Sequence, residues 1–236
     1  MSATDEIIRR WYPTYRDVGY YLKQYLAKYI TPDVRVLDVG CGRQTYGQEY
    51  YRRAHEWVGV DPDRQAIAEN TMPLTHKLTS EIKDLPLSLG QFDVITAQWV
   101  LEHLQNPESD IRRLNTVCKP GGYVIFTTTN VHSPVIWMSK IAPTSLKKRM
   151  RKALLGIEEK DTYPTAYRIN TLGKIDTIFS AAGFTRVEVR TVGVLAYFSF
   201  NMVILRLKIL LDRLVDPLGI FSSMNTHIVG VYRKKH

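Results

Sequence analysis

VRVLDVGCGRQTYG, residues 34–47, is the stretch on which the reading of the fold turns. Val34 to Val39 form a short β-branched run of the kind that fills a buried strand, and the run passes straight into Gly40, Cys41 and Gly42. Glycine there lets the backbone turn sharply and approach a ligand closely. The helix expected next offers the free N–H donors of its first turn. A Gly-x-Gly pair alone is weak, but a second run, WVGVD, ends in Asp61, 23 residues after Asp38. An acid at the carboxyl end of the second strand of such a fold can accept both hydroxyls of a ribose. The nicotinamide fingerprint would need a glycine at position 45, where Thr45 stands, and this argues against a dinucleotide. Asp61 followed by Pro62 also reads as an N-cap with proline at the first helical position, a role compatible with ribose binding.

Outward from this stretch, FDVITA and GYVIFTT repeat the pattern of short apolar runs separated by segments of helical length. Residues 34–129 therefore read as alternating strands and helices, the signature of an open parallel sheet covered on both faces. Upstream, apolar residues at helical spacing from Ile7 to Ile30, divided by Pro13, predict two helices that form an amino-terminal cap over residues 1–33. Downstream, residues 130–170 break the rhythm with a Pro-punctuated insertion that carries the basic run KKRMRK at Lys147 to Lys152. The rhythm resumes over 171–236: a helix from Thr171 to Ala182 closed by Gly183, a strand in TRVEVRTV, a helix from about Phe198 to Val215, and a last strand in HIVGVYR. The expectation is one α/β domain built on a Rossmann-like, doubly wound, seven-stranded sheet, mostly parallel with an antiparallel last strand, plus a helical cap.

Composition narrows the class. With 236 residues, 44% hydrophobic and 23% charged, the chain suits a packed globular domain, and this excludes collagen, coiled-coil arrays and intrinsic disorder. Lys and Arg number 32 against 23 Asp and Glu, a net charge of +9 that suits an anionic ligand, a nucleic acid or a lipid surface without choosing among them. Cys41 and Cys118 have no CxxC or His spacing, so neither a disulfide framework nor a metal site is expected. The charged amino terminus lacks the apolar core of a secretory signal. Arg206 and Lys208 interrupt the otherwise apolar Phe198 to Val215 run and argue against a membrane span. A cytoplasmic protein, possible at a membrane periphery, is the expected location; the oligomeric state is not readable.

Five motifs in order, VLDVGCG, GVDPD, DLPLSLGQFDVI, VLEHLQNPE and KPGGYVIF, resemble those of class I S-adenosylmethionine-dependent methyltransferases, most closely the small-molecule subgroup. The resemblance covers Val34 to Asn130, with weaker similarity in AAGFTRVEV and the last strand. It implies S-adenosyl-L-methionine as the cofactor. Asp38 would support the loop and, through water, the methionine amino group; Gly40, Cys41 and Gly42 would pack against the methionyl and ribose portions. Asp61 would take the ribose hydroxyls and Pro62 would stack near the adenine. Glu81 would face the adenine amino group, Ile82 the adenine ring, and Gln98 would give backbone contacts at the methionine end. One departure stands out: Gln44 occupies the place of the family's usual third glycine. Its amide is a candidate partner for the cofactor carboxylate, as is Tyr15 from the amino-terminal lid.

Methyl transfer from a sulfonium depends mainly on positioning, and a base is needed only if a hydroxyl or amine must lose its proton. The candidate bases are His103 in the VLEHL run, His132 just after the fifth strand, and His227 at the start of the last strand. His103 also occurs in relatives with unrelated acceptors and so reads equally as a helix organiser. His132 reads equally as a turn residue. Trp99, Tyr167 and Tyr197 are the candidate acceptor-pocket residues, and Arg16 and Arg168 are cations within reach of a carboxylate or phosphate. The leading function is methyl transfer to an oxygen or nitrogen of a small, apolar or lipid-linked acceptor. RNA methylation and non-catalytic cofactor binding with docking to a partner or membrane are the alternatives. The absence of aromatics within KKRMRK argues against nucleic acid.

Overall fold

The first strand, β1 (Arg35–Val39), runs down the middle of the sheet, because Val36, Leu37 and Val39 are apolar on both faces and both faces are covered. This computed structural model describes residues 3–134, 136, 163–199, 201–215 and 224–236. β1 pairs in parallel with β2 (Glu56–Asp61) on one side and β4 (Phe92–Gln98) on the other. With β3 (His76–Thr79), β5 (Cys118–Thr129), β6 (Phe184–Val192) and β7 (His227–Lys234), the order is β3-β2-β1-β4-β5-β7-β6. β7 is antiparallel to both of its neighbours. The chain thus moves outward from β1 to β3 and then returns to the opposite side of β1. That reversal opens a crevice beyond the carboxyl ends of β1 and β4, where ligands of such sheets bind.

Strand periodicity divides the core. Val36, Val94, Ile125 and Val229 face one layer, while Leu37, Ile95, Val124 and Phe126 face the other. The first layer is closed by α2 (Val18–Tyr29), whose Leu22, Tyr25 and Leu26 recur at helical spacing and whose Asp17 caps the Tyr20 N–H at 2.7 Å. The second is closed by α5 (Pro107–Val117) and α6 (Leu172–Ala181), capped by Thr171. Two shorter helices, α3 (Gln48–Tyr51) and α4 (Arg64–Glu69), follow β1 and β2.

The expected amino-terminal cap is divided. α2 belongs to the sheet core, and only α1 (Ala3–Trp11) leaves it, packing with α7 (Met202–Val215) in a separate cluster around Leu195, Leu205 and Ile209. The reason is the buried stripe of α2, which matches a sheet face and is worth about 1.5–3 kcal/mol per large apolar side chain. α7 also begins later than its sequence suggests. Leu195–Phe198 form a 3-10 turn, and the Asn201 side chain accepts the Val203 and Ile204 N–H groups at 2.8 and 3.2 Å, fixing the helix start. Among the described residues no helix is long and apolar enough to cross a membrane. The basic run Lys147 to Lys152 and most of the expected insertion lie outside the described residues.

Candidate active site

The glycine loop after β1 is held from three sides. Gly40 takes a left-handed φ of +70° and donates to the Val60 carbonyl at 2.7 Å; a Cβ there would lie 2.3 Å from Val100 Cγ2. Gly42, at φ +50°, would put a Cβ into open space, so its backbone is bare on the crevice side. Its N–H donates to Asp61 Oδ2 at 2.9 Å, and the Asp63 N–H donates to Asp61 Oδ1 at 2.8 Å. Each oxygen of this nearly buried carboxylate thus keeps one acceptor direction for a ligand hydroxyl. Burial raises its pKa above the ordinary range. The N-cap of α4 is Asp63, which accepts from Gln65 and Ala66, and the helix starts at Arg64. This corrects the reading of Asp61 and Pro62 as the helix start.

Asp38 is sealed beneath the loop. It accepts hydrogen bonds from Thr45 and, at 2.8 Å, from Thr96, and burial pushes its carboxyl up to about 6. Thr45 and Asn70 are support residues that the sequence reading missed. The Asn70 amide donates to the Gly42 carbonyl at 2.7 Å, and nothing local in the sequence points from 70 to 42. Cys41 turns its thiol into the core against β2, so it offers the crevice only backbone. Gln44 is exposed and makes no hydrogen bond among the described residues. Gln98 Nε2 donates to Tyr51 Oη at 2.7 Å and the Tyr46 carbonyl at 3.0 Å, tying β4 to the loop.

Beside the loop lies a cleft of about 390 Å³ whose apolar lining comes from Val39, Val60, Pro62, Ile82, Val100 and Leu104. Glu81 borders it, but its carboxylate is mostly exposed and pairs with Lys83 at 2.8 Å. The expected contact of Glu81 with an amino group in the cleft therefore meets a competing ion pair. The residues fit an adenosyl cofactor: a bare glycine backbone, an acid with two free acceptor directions, and an apolar cleft next to both.

The segment 163–170 straps across the strand tips. Tyr163 donates to Asp63 Oδ2 at 2.6 Å, and His103 Nδ1 meets the Pro164 carbonyl at 2.7 Å. Because a carbonyl only accepts, Nδ1 carries a proton in this contact. The Glu102 carbonyl accepts from the N–H groups of Ala166 and Tyr167 at 2.8 and 3.0 Å, while its buried carboxylate accepts from Thr128 and Thr129. Glu102 is thus a fastener between β5 and the strap, and burial raises its pKa. Tyr167 sits in the strap at φ +52°, a strained backbone for a non-glycine residue.

Beyond the strap an aromatic group gathers. Trp99, also left-handed at φ +59°, follows β4 and places its ring 4.6 Å from that of His227, edge to face. Tyr197 lies 6.2 Å from His227 on another side, its hydroxyl pKa raised by burial and by nearby Tyr167. His227 opens β7 opposite Thr129, at the carboxyl end of β5. It is buried, its Nδ1 has no hydrogen-bond partner among the described residues, and burial pushes its pKa down from 6.5 to about 4. The fold therefore brings Trp99, Tyr167, Tyr197 and His227 together. It does not bring the other two histidines into that group as bases: His103 fastens the strap, and the His132 side chain is exposed, its backbone N–H held by Asn130. The Tyr15 hydroxyl donates to the Gly193 carbonyl at 2.8 Å and accepts from Leu195, so it anchors the 193–195 loop and is engaged away from any carboxylate. Arg16 donates to the carbonyls of Pro13 and Tyr15, and Arg168 is exposed. Among the described residues no three His, Cys, Asp or Glu side chains gather as a metal site.

A doubly wound sheet with a glycine loop after β1, an acid at the tip of β2 and a cleft at its switch point defines a nucleoside-cofactor enzyme of the Rossmann-like class. A family model described as a methyltransferase domain matches residues 15–189, and the chain belongs to that family, whose cofactor is S-adenosylmethionine. Among curated proteins it is 35% identical over 103 residues to a ubiquinone biosynthesis O-methyltransferase of Azoarcus sp. (strain BH72), covering 41% of this chain and 44% of that protein. It is 32% identical over 128 residues to an uncharacterized methyltransferase of Schizosaccharomyces pombe, covering 48% and 46%. The matches thus span less than half the length of these curated relatives. In fold, it resembles an S-adenosylmethionine-dependent methyltransferase from Mesorhizobium loti at TM-score 0.56 and 13% identity, covering 92% of this chain and 97% of the other. It also resembles the N-methyltransferase NodS from Bradyrhizobium japonicum, solved in complex with S-adenosyl-l-homocysteine, at TM-score 0.53 and 13% identity over 100% of both chains.

Proposed function

We propose that the chain transfers the methyl group of S-adenosylmethionine to a hydroxyl oxygen of an apolar, lipid-linked small molecule. The observation that carries the reading is His227, a buried neutral imidazole with an unpartnered Nδ1 among Trp99, Tyr167 and Tyr197. An orphaned acceptor in an aromatic setting suits a ligand that brings an O–H into apolar surroundings. The cofactor supplies an electrophilic methyl whose C–S bond breaks as the C–O bond forms. His227 Nδ1 accepts the hydroxyl hydrogen bond, orients the oxygen lone pair and takes the proton. Its lowered pKa keeps it unprotonated across the neutral range, and the proton passes on to water. Glu102 and Tyr163 fasten the strap beside this region. The O-methyltransferase names of the curated relatives agree with an oxygen acceptor.

Peripheral contact with an anionic membrane belongs to the same reading. Val203, Leu207, Leu210, Leu211 and Leu214 form one stripe along α7, each more than half exposed. Arg206, over the Trp11 ring, and Arg213, donating to the Trp11 carbonyl, flank it. An apolar stripe bordered by arginines suits the boundary of an anionic bilayer, whereas a second copy would set the same arginines against each other.

The deciding experiment is a screen with methyl-labelled cofactor against apolar and polar hydroxyl and amine acceptors, with wild type and His227→Gln side by side. Turnover of an apolar hydroxyl compound that collapses in the variant is expected. Preference for a polar acceptor, or an unaffected variant, overturns the reading. Vesicle co-sedimentation tests the membrane part: pelleting with anionic lipid at low salt, reduced at high salt, is expected. Equal negligible pelleting with neutral and anionic vesicles removes it.

A further inference from the structure

Three threonines close β5, and the fold pairs the hydroxyls of two. Thr128 and Thr129 donate to the Glu102 carboxylate. Thr127 is 1% exposed, and its Oγ1 has no hydrogen-bond partner among the described residues. Ile125 and Val229, its neighbours on the same sheet face, are apolar, and a valine at 127 would fill the same space without the cost of burying a hydroxyl. The register places this hydroxyl at the acceptor region. Thr127 stands opposite Val229, and Val229 shares its face with His227. The Thr127 and His227 side chains therefore leave one face on a diagonal, with Cα atoms roughly 7–8 Å apart. The Thr127 carbonyl also accepts the Trp99 N–H at 2.9 Å, which ties it to the residue whose ring meets His227. Two buried polar atoms without partners, Thr127 Oγ1 and His227 Nδ1, thus neighbour each other at the end of one sheet face.

We propose that Thr127 sets the specificity for the acceptor, its hydroxyl bonding a second oxygen that the acceptor carries beside the hydroxyl to be methylated. A threonine hydroxyl both donates and accepts, so the second oxygen is a hydroxyl, an ether or a carbonyl. An acceptor that met His227 alone would leave Thr127 buried and unpaired, and that loss discriminates against compounds with a single oxygen. The inference rests on the reading of His227 as the acceptor's partner and deepens it. The rings of Trp99 and Tyr197 around His227 suit a ring-borne hydroxyl, so phenols serve as the probes.

Calorimetry on the protein saturated with S-adenosylhomocysteine tests it with an alkylphenol and with the same compound carrying a hydroxyl or a methoxy group ortho to the phenolic oxygen. Wild type should bind the two ortho-substituted probes about three- to tenfold more tightly than the parent, the scale of one neutral hydrogen bond. Thr127→Val, which keeps the shape and removes the hydroxyl, should bind all three within about twofold of one another. Thr127→Ser should keep the preference. The melting temperature of ligand-free Thr127→Val should equal or exceed that of wild type, because an unpaired buried hydroxyl is removed. A marked fall would show that the fold itself uses this hydroxyl and overturns the proposal. A preference that survives in Thr127→Val overturns it too. His227→Gln, which should weaken the three probes alike, separates the two readings. If wild type binds the three equally while His227→Gln weakens them all, His227 stands and the role of Thr127 falls; if wild type binds none of them, both fall.

Discussion

The two halves of the crevice are built on opposite plans. On the cofactor side, Gly40, Gly42 and Asp61 lie on neighbouring strand tips, and both oxygens of Asp61 accept backbone N–H groups. On the proposed acceptor side, Trp99, Tyr167, Tyr197 and His227 come from four separate parts of the chain, two of them on left-handed backbone, and His227 Nδ1 has no hydrogen-bond partner among the described residues. The first half is braced by its own hydrogen bonds and suits a ligand common to many enzymes. The second is left unsatisfied, and unsatisfied buried groups mark where a particular ligand supplies what the protein withholds.

The largest effect that separates the halves is expected at His227. His227→Gln should lower kcat by about 10²- to 10⁴-fold while leaving S-adenosylhomocysteine affinity unchanged. Loss of both together would merge the two halves. The same residue marks stability. Its pKa is about 4 in the fold against 6.5 ordinarily, so below 6.5 the unfolded chain takes up the proton first. The stability it contributes is complete above pH 6.5 and is lost as pH falls toward 4; denaturant titrations of His227→Gln should show a shallower acid-side decline.

Asp61→Ala attacks the other half. It should weaken S-adenosylhomocysteine binding by about 1.5–3 kcal/mol, read by calorimetry, since a charged acceptor is lost and the Gly42 and Asp63 N–H groups lose their partner as well. An unchanged dissociation constant would reduce Asp61 to a loop support.

Asp110→Asn should act in the opposite direction on the ligand-free protein. The Asp110 pKa is raised from 3.8 to about 6, so its contribution to stability is complete below 3.8 and is lost as pH rises through 6. Thermal or urea unfolding at pH 7.5 should find the variant about 1–2 kcal/mol more stable than wild type, with the gain shrinking toward pH 4. Tyr163→Phe should have the smallest effect, under about 1 kcal/mol, because its bond to Asp63 is exposed. A modestly faster release of S-adenosylhomocysteine in stopped flow would identify the strap as its gate.

Much of the cofactor half was legible because its signals are local: a β-branched run entering Gly40, and an acid at the end of WVGVD. The doubly wound sheet followed from the same alternation, while its strand order came from the structure. Side-chain bonding between positions the sequence does not link set what several of these residues do in the structure. Asp63 took the cap expected near Asp61, Gly193 and Leu195 took the Tyr15 hydroxyl, and Lys83 took the Glu81 carboxylate. The support given by Thr45 and Asn70 was not foreseen because Thr and Asn are ordinary loop residues until their partners are known.

By itself the sequence determined the class of sheet and the acid and glycines at its strand ends, since hydrophobic period and backbone freedom are properties of consecutive residues. Only the tertiary structure decided which histidine is buried without a partner, which acids keep a free oxygen, and which face of α7 is left bare. Those properties depend on water being excluded and on donors arriving from elsewhere in the chain. The antiparallel return of β7 carries His227 to the tip of β5, beside Trp99 at the end of β4, a meeting that no spacing along the chain encodes.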